Sequence, residues 1–284
     1  MREDLSPYHM GESFIKYDAR LENAEEYFER NKSHATEKGI LKTLYKYHYL
    51  TKMCLKKAIM LEKEKPTRTI DSTLRDMVKE GAVVQYERVE NSGITVIYAL
   101  PQNMRRAIKE YYPKLQKTDA ETTEQQMLRR ASLNQWHIGI MDAYNDILVE
   151  EHYYAKRKWP YKKLFFTSFF RLSGKKSSTV ILALPYVKTK EDFPKVAAEL
   201  VKISIHAERS ISQRFLVVLI VESVSAMENA YKEIHSYKQF SLIEPFFSMD
   251  INTKARNSIS WLYTCKYENG KVFYDTYHLD DLLG

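Results

Sequence analysis

The chain has 284 residues and a formal charge of +7, and a chain of this length is expected to form about two domains. Its two cysteines, Cys54 and Cys265, lie far apart and exclude a disulfide framework and a CxxC metal site. Residues 1–4 do not resemble a signal peptide, and the longest apolar run, 215–221, has the length of a buried strand. We therefore expect a cytoplasmic protein with no membrane partner.

The positive charge is concentrated in one part of the chain. Residues 36–118 hold 17 basic and 9 acidic residues, whereas residues 1–35 have a net charge of −3 and the remainder a net charge of +2. Residues 1–35 are interpreted as an acidic N-terminal extension, with a helix within 18–31 that either packs on the next domain or stays mobile. A localised basic segment is typical of a surface that binds phosphates.

Residues 36–112 have the element order of a winged helix-turn-helix, namely three helices, a glycine stop and a β-hairpin. Thr51 is placed to cap the second helix, and Gly81 to end the third. Asn91-Ser92-Gly93 predicts the turn of the wing. The first helix has one face with the spacing of a buried stripe, formed by Ile40, Leu44 and Tyr47. This order predicts duplex DNA as the partner.

The third helix, predicted over 67–79, would then be the recognition helix. Its outer face is expected to offer donors for base edges and phosphates, from Thr67, Arg68, Thr69, Ser72, Thr73 and Arg75. Arg88 is placed near the tip of the wing. The helix that follows the hairpin adds further cations for phosphate contacts, namely Arg105, Arg106 and Lys109.

Residues 113–124 are polar and are interpreted as a linker, and residues 125–284 as a second domain in which helices and strands alternate. A long helix is predicted over 128–158, and the later elements are helices over 192–209 and 225–237 and strands over 164–170, 179–184, 214–222, 240–247, 261–267 and 271–277. This pattern predicts a mixed α/β sheet with helices on both faces, so the fold class is α/β, or α+β overall.

The order of a winged helix, a long helix carrying Trp136-His137 and a small mixed sheet resembles the replication-relaxation proteins of mobile plasmids. The resemblance spans roughly residues 36–235. It implies a C-terminal domain similar to a degenerate restriction-endonuclease core. It also implies a role on plasmid DNA, in replication, DNA relaxation or conjugative transfer, without a settled mechanism.

A restriction-type nuclease needs an Asp on one strand and a Glu or Asp followed two residues later by Lys on the next, to hold Mg²⁺ and orient water. The candidate strands 164–170 and 179–184 contain no carboxylate. Four upstream acids have helical spacing and predict a solvated helix face, namely Asp142, Asp146, Glu150 and Glu151. The histidines lack metal-ligand spacing. We therefore predict no catalytic residue, no metal and no cofactor.

The sequence thus predicts a non-enzymatic, sequence-specific duplex DNA-binding protein in plasmid replication, conjugation or transcription regulation. The second domain would pair two copies into a homodimer or dock another replication or transfer protein. Two alternatives stay open. One is a metal-dependent DNA nuclease whose carboxylates lie elsewhere, and the other is a protein-binding adaptor built on a winged helix.

Overall fold

The computed structural model describes residues 15–17, 21–62, 66, 68–90, 93–111, 123–151, 168–174, 178–184, 198, 214–221, 223–236, 244–249, 260–269 and 271–283. This described part is mixed α/β, with eight helices and two sheets. It divides into an N-terminal unit within residues 10–138 and a C-terminal unit within residues 139–284. The predicted linker 113–124 lies outside the described residues except for its last two positions.

Helices dominate the described part of the N-terminal unit. They are α1 (Ala24–Asn31), α2 (Ala35–Tyr47), α3 (Lys52–Leu61), α4 (Ile70–Lys79), α5 (Gln102–Tyr111) and α6 (Glu124–Ala143), and the division between the units falls within α6, after Ile138. The predicted cap of α3 is confirmed, because the Thr51 hydroxyl accepts a hydrogen bond from the backbone N–H of Cys54.

The same unit has a four-stranded antiparallel sheet in the order β1-β3-β4-β2. Its strands are β1 (Ile15–Tyr17), β2 (Leu50–Thr51), β3 (Val84–Glu90) and β4 (Gly93–Ala99). The pairing of β3 with β4 confirms the predicted hairpin, although residues 91 and 92 of its turn lie outside the described residues. Gly81 ends α4 with a φ of 77°, in the left-handed region where glycine lacks the Cβ penalty.

The core of the N-terminal unit confirms the predicted stripe on α2, since Ile40 and Leu44 are fully buried and Tyr47 is nearly so. The N-terminal extension contributes to this core through α1. The Phe28 ring lies 4.8 Å from that of Tyr111 on α5, centroid to centroid, and Phe28 is buried. The acidic segment therefore packs on the unit over α1, a point that the sequence left open.

The C-terminal unit is built on a seven-stranded sheet in the order β11-β10-β9-β8-β7-β6-β5. Its strands are β5 (Leu148–Glu151), β6 (Ser168–Ser173), β7 (Ser178–Leu184), β8 (Arg214–Val221), β9 (Phe246–Met249), β10 (Trp261–Glu268) and β11 (Lys271–His278), and its other described helices are α7 (Val224–Ser236) and α8 (Leu279–Leu283). Strands β7, β8 and β9 are parallel, and the remaining pairs are antiparallel. The central strand β8 is buried, as its apolar sequence predicts.

Two predicted elements of this unit are wrong in extent. The helix predicted over 128–158 ends at Ala143, because Asn145 and Asp146 form a turn and favour turns over helix interiors. Glu150 and Glu151 consequently lie on strand β5 and not on a helix face. The strand predicted over 240–247 begins at Phe246, directly after a proline that cannot donate to a strand ladder.

The other predicted elements fall into two groups. The strands over 179–184 and 214–222, the helix over 225–237 and the final hairpin are confirmed within a residue or two. The strand predicted over 164–170 overlaps β6, which extends to Ser173, and residues 164–167 are outside the described part of the chain. The helix predicted over 192–209 lies outside it as well, apart from residue 198. None of the described helices has both the length and the apolar character needed to cross a bilayer.

Candidate nucleic-acid interface

Helix α4 has a sharply divided surface. Ile70, Leu74 and Met77 are buried in the core of the N-terminal unit. The other side of the helix and its N-terminal flank are exposed and carry predicted DNA contacts, namely Arg68, Thr69, Ser72 and Arg75. The amphipathic pattern therefore fixes which side of α4 faces the interior and leaves the polar side open to a ligand.

Two of the DNA contacts predicted for this helix are not among its exposed described residues. Thr73 is 2% exposed and belongs to the buried side, so its place in the predicted DNA-contacting set is wrong. Its position follows from helical geometry, because residues three after Ile70 and four before Met77 share their face. Thr67 lies outside the described residues, and the helix begins at Ile70 because Thr69 has the extended backbone of an N-cap.

The N-terminal end of α4 is attached to α2. The Arg68 backbone N–H donates to the Thr36 hydroxyl oxygen at 3.0 Å. The Arg68 guanidinium lies 3.4 Å from a carboxylate oxygen of Glu37, which is buried, while the arginine side chain itself is 65% exposed. Thr69 makes no side-chain capping bond. Arg68 is thus attached to α2 through both its backbone N–H and its guanidinium, although most of its side chain is exposed. The Thr69 hydroxyl does not cap its own helix.

Cations from α3 lie beside the first turn of α4. Lys56 and Lys52 lie 2.7 Å and 3.8 Å from the Asp71 carboxylate. The hydrogen bond from Lys56 holds the pKa of Asp71 below its usual range, with a smaller contribution from Lys52. The sequence reasoning missed this cluster, although Lys52 and Lys56 are one helical turn apart in sequence.

A cleft of about 370 Å³ lies between α4 and the sheet of the N-terminal unit. Lys52, Arg75 and Lys79 contribute its cations, and Leu74 and Val78 contribute apolar wall. Tyr17 of β1 lines the cleft as well, so the N-terminal extension reaches this surface. Three cations against the single carboxylate of Asp71 make the cleft basic, which suits a phosphate backbone.

Arg88 does not belong to this surface. It lies on β3 opposite Thr95 and is 2% exposed, so its predicted contact with DNA from the wing is wrong. The prediction relied on the short distance in sequence between Arg88 and the hairpin turn. That distance does not make the side chain exposed, because neighbouring residues of the folded unit cover it.

The cations of α5 also separate into two kinds. Arg106 and Lys109 are exposed, as predicted. Arg105 is directed at the interior, since its Nη2 lies 2.6 Å from Nε2 of the buried His48 and its guanidinium carbon lies 5.8 Å from the centroid of the Tyr45 ring. Arg105 therefore packs against His48 and Tyr45, and its phosphate contact stays a prediction.

His48 occupies a strained turn directly after α2. Its φ of 70° and ψ of −56°, together with a 2.9 Å hydrogen bond from the Tyr49 N–H to the Tyr47 carbonyl, define a γ-turn with positive φ, a rare conformation for a residue with a Cβ. The Asn134 amide of α6 donates to the carbonyls of Tyr47 and Tyr49 at 2.6 and 2.9 Å. The His137 ring contacts Tyr47 edge-on at 5.7 Å. Residues 134–137 thus brace the turn that joins α2 to β2.

Clusters of metal ligands and cysteine thiols are two kinds of group that support catalysis. Among the described residues, no group of three or more His, Cys, Asp or Glu side chains could hold a metal ion. Burial raises the pKa of the Cys54 thiol to about 11 and of the Cys265 thiol to about 12, so neither is a thiolate nucleophile at neutral pH. The described parts of β6 and β7 contain no acid, whereas the neighbouring strand β5 contains Glu150 and Glu151.

Comparison of the chain with protein-family models, with curated proteins and with solved structures gave no match.

Proposed function

We propose that the N-terminal unit is a winged helix that binds duplex DNA sequence-specifically, with α4 as its recognition helix. The observation that carries the proposal is the exposed polar side of α4, which presents Arg68, Ser72 and Arg75 while the opposite side is buried. The strand order supports it, because β2, between α2 and α3, pairs with β4, the second strand of the hairpin. A helix with one rigidly packed side and one polar side fits the major groove.

The side chains divide by the contact each is suited to make. Arg68 and Arg75 have the planar, bidentate donors that recognise guanine. Thr69 offers its hydroxyl to a phosphate near the start of the helix, where the macrodipole favours anions. The Ser72 hydroxyl donates to the Thr69 carbonyl at 3.0 Å and would exchange that bond for a phosphate. Lys52 and Lys79 in the basic cleft, with Arg106 and Lys109 on α5, contribute phosphate contacts.

For the C-terminal unit we propose assembly, by pairing two copies of the chain or by docking another replication or transfer protein. The buried strand β8 and its neighbours supply a stable sheet, and the absence of acids from the described parts of β6 and β7 argues against a restriction-type site there. Because the sequence resembles replication-relaxation proteins, we propose that this protein acts in plasmid replication, conjugative transfer or transcription regulation.

A metal-dependent nuclease is the second candidate, favoured by one observation. Glu150 and Glu151 lie on β5, and pair in register with Arg171 and Phe170 of β6. An acid on a strand next to β6 is closer to a restriction-type arrangement than an acid on a helix face would be. Successive strand residues alternate between the two faces, however, so the two acids would not share one metal ion. Mg²⁺ coordination by carboxylates would be their chemistry.

The proposal is tested by presenting the purified full chain with a fragment library of its own replicon and footprinting the retained fragments. We expect one or a few retained fragments, each with a protected site of defined sequence, and retention that falls as salt is raised. Uniform retention of all fragments would reduce the function to non-specific DNA binding. No retention at low salt would contradict the proposal and leave the winged helix as a protein adaptor.

A further inference from the structure

Strand β11 forms an edge of the seven-stranded sheet among the described strands. It is eight residues long and mostly exposed. Phe273 and Tyr274 are 52% and 50% exposed, and they point to opposite faces of the sheet because successive strand residues alternate. A long edge strand with exposed aromatic side chains on both faces is a template for pairing with another strand.

The hairpin geometry determines which backbone groups of β11 are open. Glu268 pairs with Lys271 across a two-residue loop whose first residue, Asn269, has a φ of 50°. The residues that flank such a turn are bonded to each other, so Lys271, Phe273 and Asp275 direct their backbone groups at β10. By alternation, Val272 and Tyr274 direct their N–H and C=O groups to the outer edge.

These constraints, with the side-chain charges, select one self-complementary register. In antiparallel pairing of β11 with a second β11, Val272 must lie opposite an even-numbered residue. When it lies opposite Tyr274, Phe273 faces its own copy and Lys271 faces Asp275 twice, once on each side of the two-fold axis. If the two-fold axis lay at Asp275 instead of Phe273, Asp275 would face Asp275, which like charges disfavour. If the axis lay at Tyr274, between these two, Lys271 would face Tyr277 and form no ion pair.

The charges themselves fit this arrangement. Asp275 already lies 2.7 Å from Lys266 on β10 and both side chains are about half exposed or more, whereas Lys271 has no ion-pair partner among the described residues. Pairs of the Lys271–Asp275 kind would fall at non-hydrogen-bonded positions, where opposing side chains approach most closely. The two-fold axis then forms two Lys271–Asp275 pairs from the same surface of each copy, as an isologous contact requires.

We infer that β11 is the dimerisation edge of this protein, pairing antiparallel with β11 of a second copy about a two-fold axis at Phe273. The inference rests on the assembly role proposed for the C-terminal unit and is independent of DNA binding. A dimer formed in this way carries two recognition helices in one particle, which suits paired half-sites.

The register is tested by cysteine crosslinking of the full chain under mild oxidation. Phe273→Cys should form a disulfide-linked dimer, because facing residues at such a position have Cα atoms about 4.5 Å apart, within the range of a disulfide. Tyr274→Cys is the matched control, equally exposed and adjacent in sequence, but about 8 Å from its own copy in this register. Crosslinking of both variants alike, or of Tyr274→Cys alone, would overturn the register.

The charge pairing is tested by sedimentation of the full chain without DNA. Lys271→Asp and Asp275→Lys should each weaken self-association roughly tenfold, since each places two like-charge pairs across the edge. An equimolar mixture of the two variants should recover it, because one copy then carries acid at both positions and the other base at both. Lys266→Ala, which removes only the pair within one chain, should leave self-association unchanged.

Circular dichroism of each variant establishes that it is folded, and recovery in the mixture shows this independently. A wild-type chain that stays monomeric at the highest concentration reached would overturn the inference and leave β11 to a different partner. Variants that associate as well as the wild type would overturn it too, by moving the interface elsewhere. Neither outcome bears on DNA binding, which is measured with separate probes.

Discussion

The two units of the chain use their exposed side chains in different ways. In the N-terminal unit the open surface of α4 is polar, and α4 is anchored by buried Ile70, Leu74 and Met77. The cleft beside it holds Lys52, Arg75 and Lys79 against Asp71. In the C-terminal unit the open edge β11 is aromatic and carries Lys271 and Asp275 in near balance. A surface with surplus cations suits a polyanion, whereas a self-complementary edge suits a second copy, so contact with DNA and assembly are assigned to different units.

The largest effect is expected from loosening the brace of the N-terminal unit. Asn134→Ala removes two hydrogen bonds to the turn at His48, although the Tyr47 carbonyl still accepts a hydrogen bond from the Tyr49 N–H. The loss should cost about 2–4 kcal/mol of unfolding free energy. Urea denaturation of the full chain measures it. Asn103→Ala on α5 is the matched control, because it also removes two side-chain hydrogen bonds, to the Leu21 carbonyl at 3.3 Å and from the Met104 N–H at 2.8 Å, but at an exposed residue. The control should change the free energy of unfolding by less than about 1 kcal/mol. Equal losses of unfolding free energy for the two variants would show that Asn134 stabilises the unit no more than an exposed residue does.

The next effect sharpens the difference between α4 and the rest of the surface. Arg68→Ala and Arg75→Ala should each cost about 1–3 kcal/mol in binding to the selected site and much less on a scrambled duplex, if they contact bases. Fluorescence anisotropy with both duplexes measures this. Lys232→Ala, which removes an exposed cation from α7 of the other unit, should leave both affinities unchanged. Equal losses on the two duplexes would reassign the arginines to phosphates.

A smaller effect is expected from α5. Arg106→Ala and Lys109→Ala should weaken binding to all duplexes alike, and each should flatten the slope of log affinity against log salt by about 0.9 if it contacts one phosphate. A salt titration of the single variants measures the slope. Arg105→Ala is the informative comparison, since its guanidinium contacts His48 and Tyr45, and it should alter stability more than the slope. An unchanged slope for Arg106→Ala and Lys109→Ala would remove α5 from the interface.

No effect at all is expected in a nuclease assay. Supercoiled plasmid incubated with the full chain and Mg²⁺ or Mn²⁺ should stay intact, because β6 and β7 lack acids in their described parts. Nicking that disappears with Glu150→Ala but persists with Asp146→Ala, an exposed turn residue, would favour the nuclease and erase the division of roles between the units.

Local sequence signals predicted the elements whose causes are local. The Thr51 cap and the Gly81 stop each depend on one residue and its immediate neighbours, and both were placed correctly. The boundaries of α6 and β9 were misplaced where turn residues and a proline, both visible in the sequence, were given too little weight. Thr73 was misassigned although its helical spacing alone places it inside.

Other features depend on tertiary structure and could not be predicted from local pattern. The burial of Arg88 and the direction of Arg105 are set by residues distant in sequence, such as His48 for Arg105. The γ-turn at His48 is stabilised by Asn134, which follows it by more than eighty positions. The charged character of α4 was therefore predictable, but the set of cations that remain open to DNA was not.

Photo-crosslinking tests the assignment of α4 most directly. The full chain is bound to its selected duplex, in which a photoreactive thymine analogue replaces one thymine of the footprint at a time, and the crosslinked peptide is identified by mass spectrometry. Substitution in the major groove at the centre of the site should yield crosslinks within residues 68–79. Crosslinks confined to α5, or to residues 139–284, would contradict the assignment of α4 as the helix that reads DNA.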